Sequence, residues 1–239
     1  MGKGKKRGLL LTAAVVLVLL LACRIYAGDY YRAEETAVAS SEAVAVEITE
    51  DRALFVPEKA EAGLIFYPGG KVEFTAYAPL MAKLAEQNVL CVLLKMPLNL
   101  AVLDMDAAEG IPEEFPEVEN WYLAGHSLGG SMAASYAGEN SDTYDGLILL
   151  AAYSTGDLTE SGLKACSLYG DRDGVLNLEK YGQYRSNLPE GTLELVLEGG
   201  NHAGFGSYGP QEGDGASTLE PGVQMQWTAD VILDFIRMG

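Results

Sequence analysis

Short apolar runs alternate along the chain with segments whose apolar residues recur at helical spacing. Two runs, 63–67 (GLIFY) and 89–94 (VLCVLL), are apolar throughout and predict strands buried on both faces. Further strands are predicted at 44–48, 53–56, 121–124, 147–152, 165–169 and 193–197, and helices at 74–87, 127–137, 180–188 and 224–238. This alternation is typical of an α/β domain in which a mainly parallel sheet is covered by helices on both faces.

The N-terminus has a different pattern. A basic cluster from Lys3 to Arg7 precedes the uncharged run Leu9–Cys23, which predicts an N-terminal hydrophobic helix. Three interpretations stay open: an uncleaved membrane anchor, a cleaved signal peptide, or a lipoprotein signal ending at Cys23. Each of them places the folded domain outside the cytoplasm, since basic residues favour the cytoplasmic side. We therefore divide the chain into a signal or anchor (1–28), a linker (29–43) and one domain (44–239).

The charges narrow the range of partners. Five of the 16 basic residues lie in the first 28 positions and all 34 acidic residues follow, so 11 basic residues oppose 34 acidic ones from residue 29 onward. Phosphate backbones require basic surfaces, and we expect no nucleic acid partner. Cys91 and Cys166 lie in apolar runs and are predicted to be buried free thiols.

The motif GHSLG, Gly125–Gly129, lies between the predicted strand 121–124 and a helix rich in small residues. A glycine on each side of Ser127 permits a tight strand–turn–helix, which is the setting of a nucleophile elbow. Ser127 is therefore the candidate nucleophile. We expect the side chain of His126 to point away from it.

A serine hydroxyl needs a base, and the chain has only two histidines. His202 follows the predicted strand 193–197 and is the candidate base by elimination. Its orienting acid is predicted to be Asp173, in the loop that follows the strand 165–169, with Asp171 second and Asp157 third.

Together these motifs resemble the α/β-hydrolase superfamily. The resemblance rests on GHSLGG (Gly125–Gly130), GDRDGV (Gly170–Val175) and Gly200–His202, in the order serine, acid, histidine. It covers about residues 44–239 and is strongest to the small branch without a lid, which includes dienelactone-hydrolase-like and lipase-like esterases. Asp173 matches the acid position of the family's G-x-x-D-x-x-[VL] loop, which runs here from Gly170 to Leu176, and this match is the reason for preferring Asp173 to Asp171.

In the same resemblance, the turn Pro68–Lys71 occupies the place of the family's His-Gly oxyanion loop, with Pro68 in place of the histidine. It implies a backbone oxyanion donor at Gly70 or Lys71 and a second at Leu128, the residue after the nucleophile. Glu212 and Asp214, in the polar loop after His202, lack the spacing of a calcium loop, and we expect neither a metal nor a cofactor.

The combined hypothesis is an extracytoplasmic serine hydrolase that cleaves small-molecule or acyl esters through an acyl-enzyme. The short stretch 147–164 leaves no room for a large cap, which favours an open site. Two alternatives stay open. The same triad serves thioesterases, peptidases and acyltransferases, and a catalytically silent fold can act as a binding module at the cell surface.

Overall fold

An eight-stranded sheet forms the centre of the protein in the computed structural model. In sheet order the strands run β1-β2-β4-β3-β5-β6-β7-β8, and the strands from β3 to β8 are parallel to one another. Their bounds are β1 Ala45–Ile48, β2 Arg52–Val56, β3 Ala62–Tyr67, β4 Val89–Leu94, β5 Trp121–His126, β6 Gly146–Leu150, β7 Lys164–Gly170 and β8 Leu193–Leu197. At one edge the pairing is antiparallel, β1 with β2 and β2 with β4. The predicted α/β fold is confirmed.

Among the described residues from 31 onward, six α-helices accompany the sheet. They are α1 Glu35–Val38, α2 Ala78–Ala85, α3 Ile111–Glu114, α4 Leu128–Glu139, α5 Leu178–Tyr184 and α6 Val223–Arg237. The helix predicted over 74–87 is divided, because a 3₁₀ turn at Phe74–Tyr77 precedes α2 and Pro79 lies in the first turn of that helix. Proline lacks an amide hydrogen and fits the start of a helix, where that hydrogen has no partner.

Two apolar cores lie on opposite faces of the sheet, as alternation along the strands requires. On β3, Leu64 and Phe66 belong to one core and Ile65 and Tyr67 to the other. The first core is closed by α2 and α6, and the second by α4. Both faces are therefore covered by helices, and the strands read as continuous apolar runs for this reason.

The structure describes residues 12, 14–18, 21, 24, 26–38, 44–220 and 222–238. The chain divides into two units, residues 1–30 and residues 31–239. In the first unit the described residues from 12 to 28 are helical. Most of the predicted hydrophobic segment Leu9–Cys23 lies outside the described residues, which include only 12, 14–18 and 21 of it. No helix among the described residues has the length and apolar character needed to cross a membrane.

Residues 31–38, which lie within the predicted linker, belong to the second unit and pack on the rest of it. The backbone of Tyr31 bonds with that of Lys71 and Glu73, and its ring lies 5.7 Å from the ring of Tyr208. The Glu34 amide donates to the carbonyl of Ser207 at 2.9 Å. These residues bury backbone and aromatic surface that a free linker leaves in water.

The parallel strands bring the predicted functional segments to one edge. The turn after β3, the GHSLG turn after β5 and the loops after β7 and β8 all follow carboxyl ends, which lie on the same side of the sheet. Residues 151–163, between β6 and β7, contain no helix or strand. No helical cap is inserted there.

Candidate active site

Ser127 lies on a strained turn between β5 and α4. Its φ and ψ are 52° and −123°, a conformation that a residue with a side chain rarely adopts. The Ser127 amide donates to the Leu150 carbonyl at 2.9 Å, and the Ser127 carbonyl accepts from the Ser131 amide at 3.1 Å. The turn is therefore held by β6 on one side and by the first turn of α4 on the other.

The glycines of the motif allow this turn to be tight. A Cβ atom on Gly125 would lie 2.7 Å from the carbonyl carbon of Gly129 and 2.7 Å from the amide nitrogen of Gly130. Neither backbone atom can move without displacing α4. The close approach of helix to strand that the sequence predicts is present, and it requires glycine at position 125.

Asp173 and His202 form a buried pair. Oδ2 of Asp173 lies 2.8 Å from Nδ1 of His202, and each side chain is 1% exposed. Oδ1 of Asp173 accepts from the amides of Val175 and Leu176 at 2.8 and 2.7 Å. The carboxylate is thus fixed by its own loop and directs one oxygen at the imidazole ring.

The other two candidate acids do not contact His202. Asp171 accepts the amide of Gly199 at 2.7 Å and so joins the β7 and β8 loops. Asp157 accepts the amide and hydroxyl of Thr159, which lowers the pKa of its exposed carboxyl. Of the three, the structure brings only Asp173 to the histidine.

His202 also has a buried nitrogen without a partner. Its ring is at the end of the turn that follows β8, and its Nε2 atom makes no hydrogen bond within the described part of the chain. An imidazole whose Nδ1 hydrogen is donated to a carboxylate presents Nε2 as an acceptor. The ring can therefore accept a proton at Nε2 while Asp173 stabilises the resulting charge.

The ring of His126 lies against the ring of His202, a contact that the sequence analysis did not predict. The two ring centroids are 4.4 Å apart, and Nδ1 of His126 is 2.8 Å from the hydroxyl of Tyr77. The pKa of His126 lies well below 6.5, mainly because the ring is buried and secondly because His202 is close to it. The one signal in the sequence was that a chain with two histidines places one of them directly before the candidate nucleophile.

The turn after β3 lies beside the start of α4. A Cβ atom on Gly70 would be 3.2 Å from Cβ of Leu128, so these two predicted donors are adjacent. The amides of both donate to no other group in the described residues. The amide of Lys71, in contrast, donates to the Asn99 carbonyl at 2.7 Å. Lys71 was one of two candidate donors, and its amide is already engaged.

Tyr77 joins this turn to the elbow. The Gly69 amide donates to the hydroxyl of Tyr77 at 3.1 Å, and that hydroxyl contacts His126 at 2.8 Å. Tyr77 is fully buried, and burial raises the pKa of its phenol. Sequence reasoning missed Tyr77, since it is contributed by a segment that carries no motif.

In the described residues, no group of three or more His, Cys, Asp or Glu side chains is arranged to hold a metal ion. Cys91 and Cys166 are free and buried, and burial raises the pKa of the Cys166 thiol to about 12. Neither thiol is a candidate nucleophile at neutral pH.

A mostly parallel sheet with a strained serine turn and a buried acid–histidine pair at its carboxyl edge defines an α/β-hydrolase fold. The family model described as "Alpha/beta hydrolase family" matches residues 63–226. The chain belongs to this family and is a hydrolase. A comparison with curated protein sequences gives no significant match.

Solved structures share the fold at low sequence identity. TT1662 from Thermus thermophilus is 17% identical with a TM-score of 0.59, over 81% of this chain and 98% of that one. A predicted CIB-like hydrolase from Thermoplasma acidophilum is 18% identical with a TM-score of 0.59, over 80% and 100%. Est1E from Butyrivibrio proteoclasticus is 13% identical with a TM-score of 0.57, over 82% and 98%.

Proposed function

We propose that the protein is a serine hydrolase that cleaves carboxylic esters through an acyl-enzyme, with Ser127 as nucleophile, His202 as base and Asp173 as acid. The observation that carries the proposal is the 2.8 Å contact between Asp173 and Nδ1 of His202, which leaves the buried Nε2 of that ring without a partner. The strained turn at Ser127 supports it, since such strain is concentrated at functional sites.

In acylation, Oγ of Ser127 attacks the ester carbonyl carbon and its proton passes to Nε2 of His202. Asp173 stabilises the imidazolium, which then gives that proton to the departing alcohol as the carbon–oxygen bond breaks. In the second half, water replaces the alcohol. His202 takes a proton from the water as the water oxygen attacks the acyl carbon, and then gives that proton to Oγ of Ser127 as the acyl–Ser127 bond breaks and the acid leaves.

The amides of Gly70 and Leu128 are the proposed oxyanion donors. Leu128 is the first residue of α4, where the leading amides of a helix have no partner within the helix and carry a partial positive charge. One such donor is worth about 10²–10³ in rate. With the Lys71 amide engaged by Asn99, Gly70 is the better of the two candidates in the β3 turn.

The ester substrate follows from the resemblance to lid-less esterases and from the absence of any helix or strand in residues 151–163. With no helix or strand inserted between β6 and β7, small or surface-exposed acyl groups are the substrates we propose. A panel of p-nitrophenyl esters, matched thioesters and anilides tests this preference. Faster turnover of the thioesters or anilides would replace the ester assignment and leave the triad intact.

We also propose that residues 44–239 lie outside the cytoplasm. The support is the order of charges, with a basic cluster and an apolar run before residue 28 and acidic residues only from Asp29 onward. Protease treatment of intact spheroplasts that express the full chain tests it. Degradation of the domain supports export, and protection until the membrane is broken contradicts it.

Labelling with a fluorophosphonate probe tests the nucleophile directly. Full-length wild type is compared with Ser127→Ala and His202→Ala, and with Ser131→Ala as the matched serine control. Ser131 lies one helical turn further along α4, and its hydroxyl donates to the Tyr153 carbonyl at 2.9 Å. We expect labelling of wild type and Ser131→Ala only. Folded wild type that is not labelled would contradict the proposal and favour a binding role.

A further inference from the structure

The side chain of Asp214 accepts four backbone hydrogen bonds beside the Asp173–His202 pair. Oδ1 accepts from the amides of Gly174, His202 and Gly215 at 3.1, 3.2 and 2.8 Å. Oδ2 accepts from the amide of Ala203 at 2.9 Å. One half-buried carboxylate therefore binds the residue after the acid, the histidine itself and the residue after the histidine.

A carboxylate is the side chain that suits this place. An ionised Asp has two oxygens and about four lone-pair directions, all of them acceptors, so it can satisfy four amides at once. An Asn of the same shape must present an NH₂ group at one oxygen position and faces a donor with a donor. Removal of the acceptor would leave the amides of His202 and Ala203, which are adjacent to the ring, without their partner.

The loop that carries Asp214 is itself attached to the turn after β8. Nδ2 of Asn201 donates to the Gly215 carbonyl at 2.8 Å, and the amide of Thr218 donates to the Gly199 carbonyl at 3.0 Å. On the other side, the amide of Glu212 donates to the hydroxyl of Tyr31 at 3.0 Å, which attaches the loop to the segment 31–38. The carboxylate is thus held in place by the chain on both sides of it.

We propose that Asp214 is a positioning residue that holds the Asp173 loop and the His202 loop at a fixed separation. The proposal rests on the function assigned above, in which His202 transfers protons while Asp173 orients it. Asp214 acts through the backbone and touches neither imidazole nitrogen. It therefore sets the alignment of the pair, and misalignment by about 1 Å can cost about 10²-fold in rate.

The test compares Asp214→Asn with wild type in full-length protein, with p-nitrophenyl acetate and the fluorophosphonate as probes. We expect kcat and the labelling rate constant to fall about 10- to 100-fold while KM changes less than about 2-fold, since substrate binding is untouched. Asp145→Asn is the matched control. Its carboxylate also accepts a backbone amide, that of Trp121 at 2.9 Å, at the opposite end of β5.

A double substitution tests whether Asp214 acts through the pair. With Asp173→Asn already present, the alignment of His202 is lost. Adding Asp214→Asn is then expected to lower kcat by less than about a further 3-fold. Three results would each overturn the proposal: rates within about 2-fold of wild type, an equal loss in Asp145→Asn, or fully additive losses in the double variant. If Asp214→Asn does not fold, Asp214→Ser takes its place in the same comparisons.

A spectroscopic measurement separates this inference from the proposed function. The Nδ1 proton of His202, donated to Asp173, gives a low-field proton resonance that does not depend on turnover. We expect the resonance in wild type and Asp145→Asn and its loss or broadening in Asp214→Asn. If wild type shows no labelling at Ser127, the hydrolase proposal fails while this resonance still tests Asp214, and an unchanged resonance in Asp214→Asn overturns the positioning role.

Discussion

The imidazole rings of His126 and His202 lie 4.4 Å apart, and their Nδ1 atoms have opposite roles. Nδ1 of His202 faces a carboxylate and carries a hydrogen. Nδ1 of His126 faces the hydroxyl of Tyr77, which already accepts the amide hydrogen of Gly69 and has no other acceptor for its own hydrogen among the described residues. Nδ1 of His126 therefore accepts, and its hydrogen is on Nε2.

The first prediction is that the neutral forms of the two histidines are opposite tautomers, Nδ1–H for His202 and Nε2–H for His126. Long-range ¹H–¹⁵N correlation spectra of histidine-labelled protein separate the tautomers, and a chain with two histidines gives two ring systems. The His126→Asn variant assigns the spectrum because one system disappears. Two rings of the same tautomer would contradict the hydrogen bonds described above.

The second prediction concerns stability at mildly acidic pH. Burial holds the pKa of His126 well below its ordinary 6.5. Below about pH 6.5 this side chain is therefore protonated in the unfolded chain and still neutral in the folded protein. The free energy of unfolding therefore falls as the pH drops below about 6.5. Urea unfolding at pH 7.5 and 5.5 measures the loss, which we expect to be smaller in His126→Asn. An equal loss in both proteins would show that His126 does not contribute.

The third prediction is that Tyr77→Phe lowers both stability and rate. It leaves the amide of Gly69 and Nδ1 of His126 buried without a partner, at a cost of about 1–3 kcal/mol for each such group. The turn that carries Gly70 is also released, so kcat falls. The control is Tyr122→Phe. The hydroxyl of Tyr122 donates to the Ile236 carbonyl at 3.3 Å, a contact that does not involve the turn. Equal kcat in the two variants would separate Tyr77 from the oxyanion turn.

The strands could be predicted from the sequence because they depend on local patterns, and Ser127, Asp173 and His202 were proposed because each lies in a motif that follows a predicted strand. Apolar runs such as Val89–Leu94 are continuous where a strand is covered on both faces, and each proposed triad residue follows a strand that the sequence predicted.

Contacts between segments that are distant in the chain could not be predicted, because no local sequence pattern marks them. The amide of Lys71 is engaged by Asn99, 28 positions later, and the ring of His126 meets His202 only because β5 and β8 end at the same edge. Asp214 was considered only as a cation ligand, because its four donors are backbone amides that no side-chain motif marks.

The fourth prediction separates the two aspartates of the β7 loop. Asp173→Asn should lower kcat by about 10³–10⁴-fold, because an amide at this position no longer selects the tautomer of His202 or stabilises its charged form. Asp171→Asn loses the bond to the Gly199 amide at 2.7 Å, a contact that joins two turns without touching the ring. We expect its kcat within about 10-fold of wild type and the larger part of its effect in the unfolding midpoint. Steady-state kinetics and thermal unfolding of both variants measure the difference. If Asp171→Asn were the slower enzyme, the acid assigned to the triad would have to be exchanged.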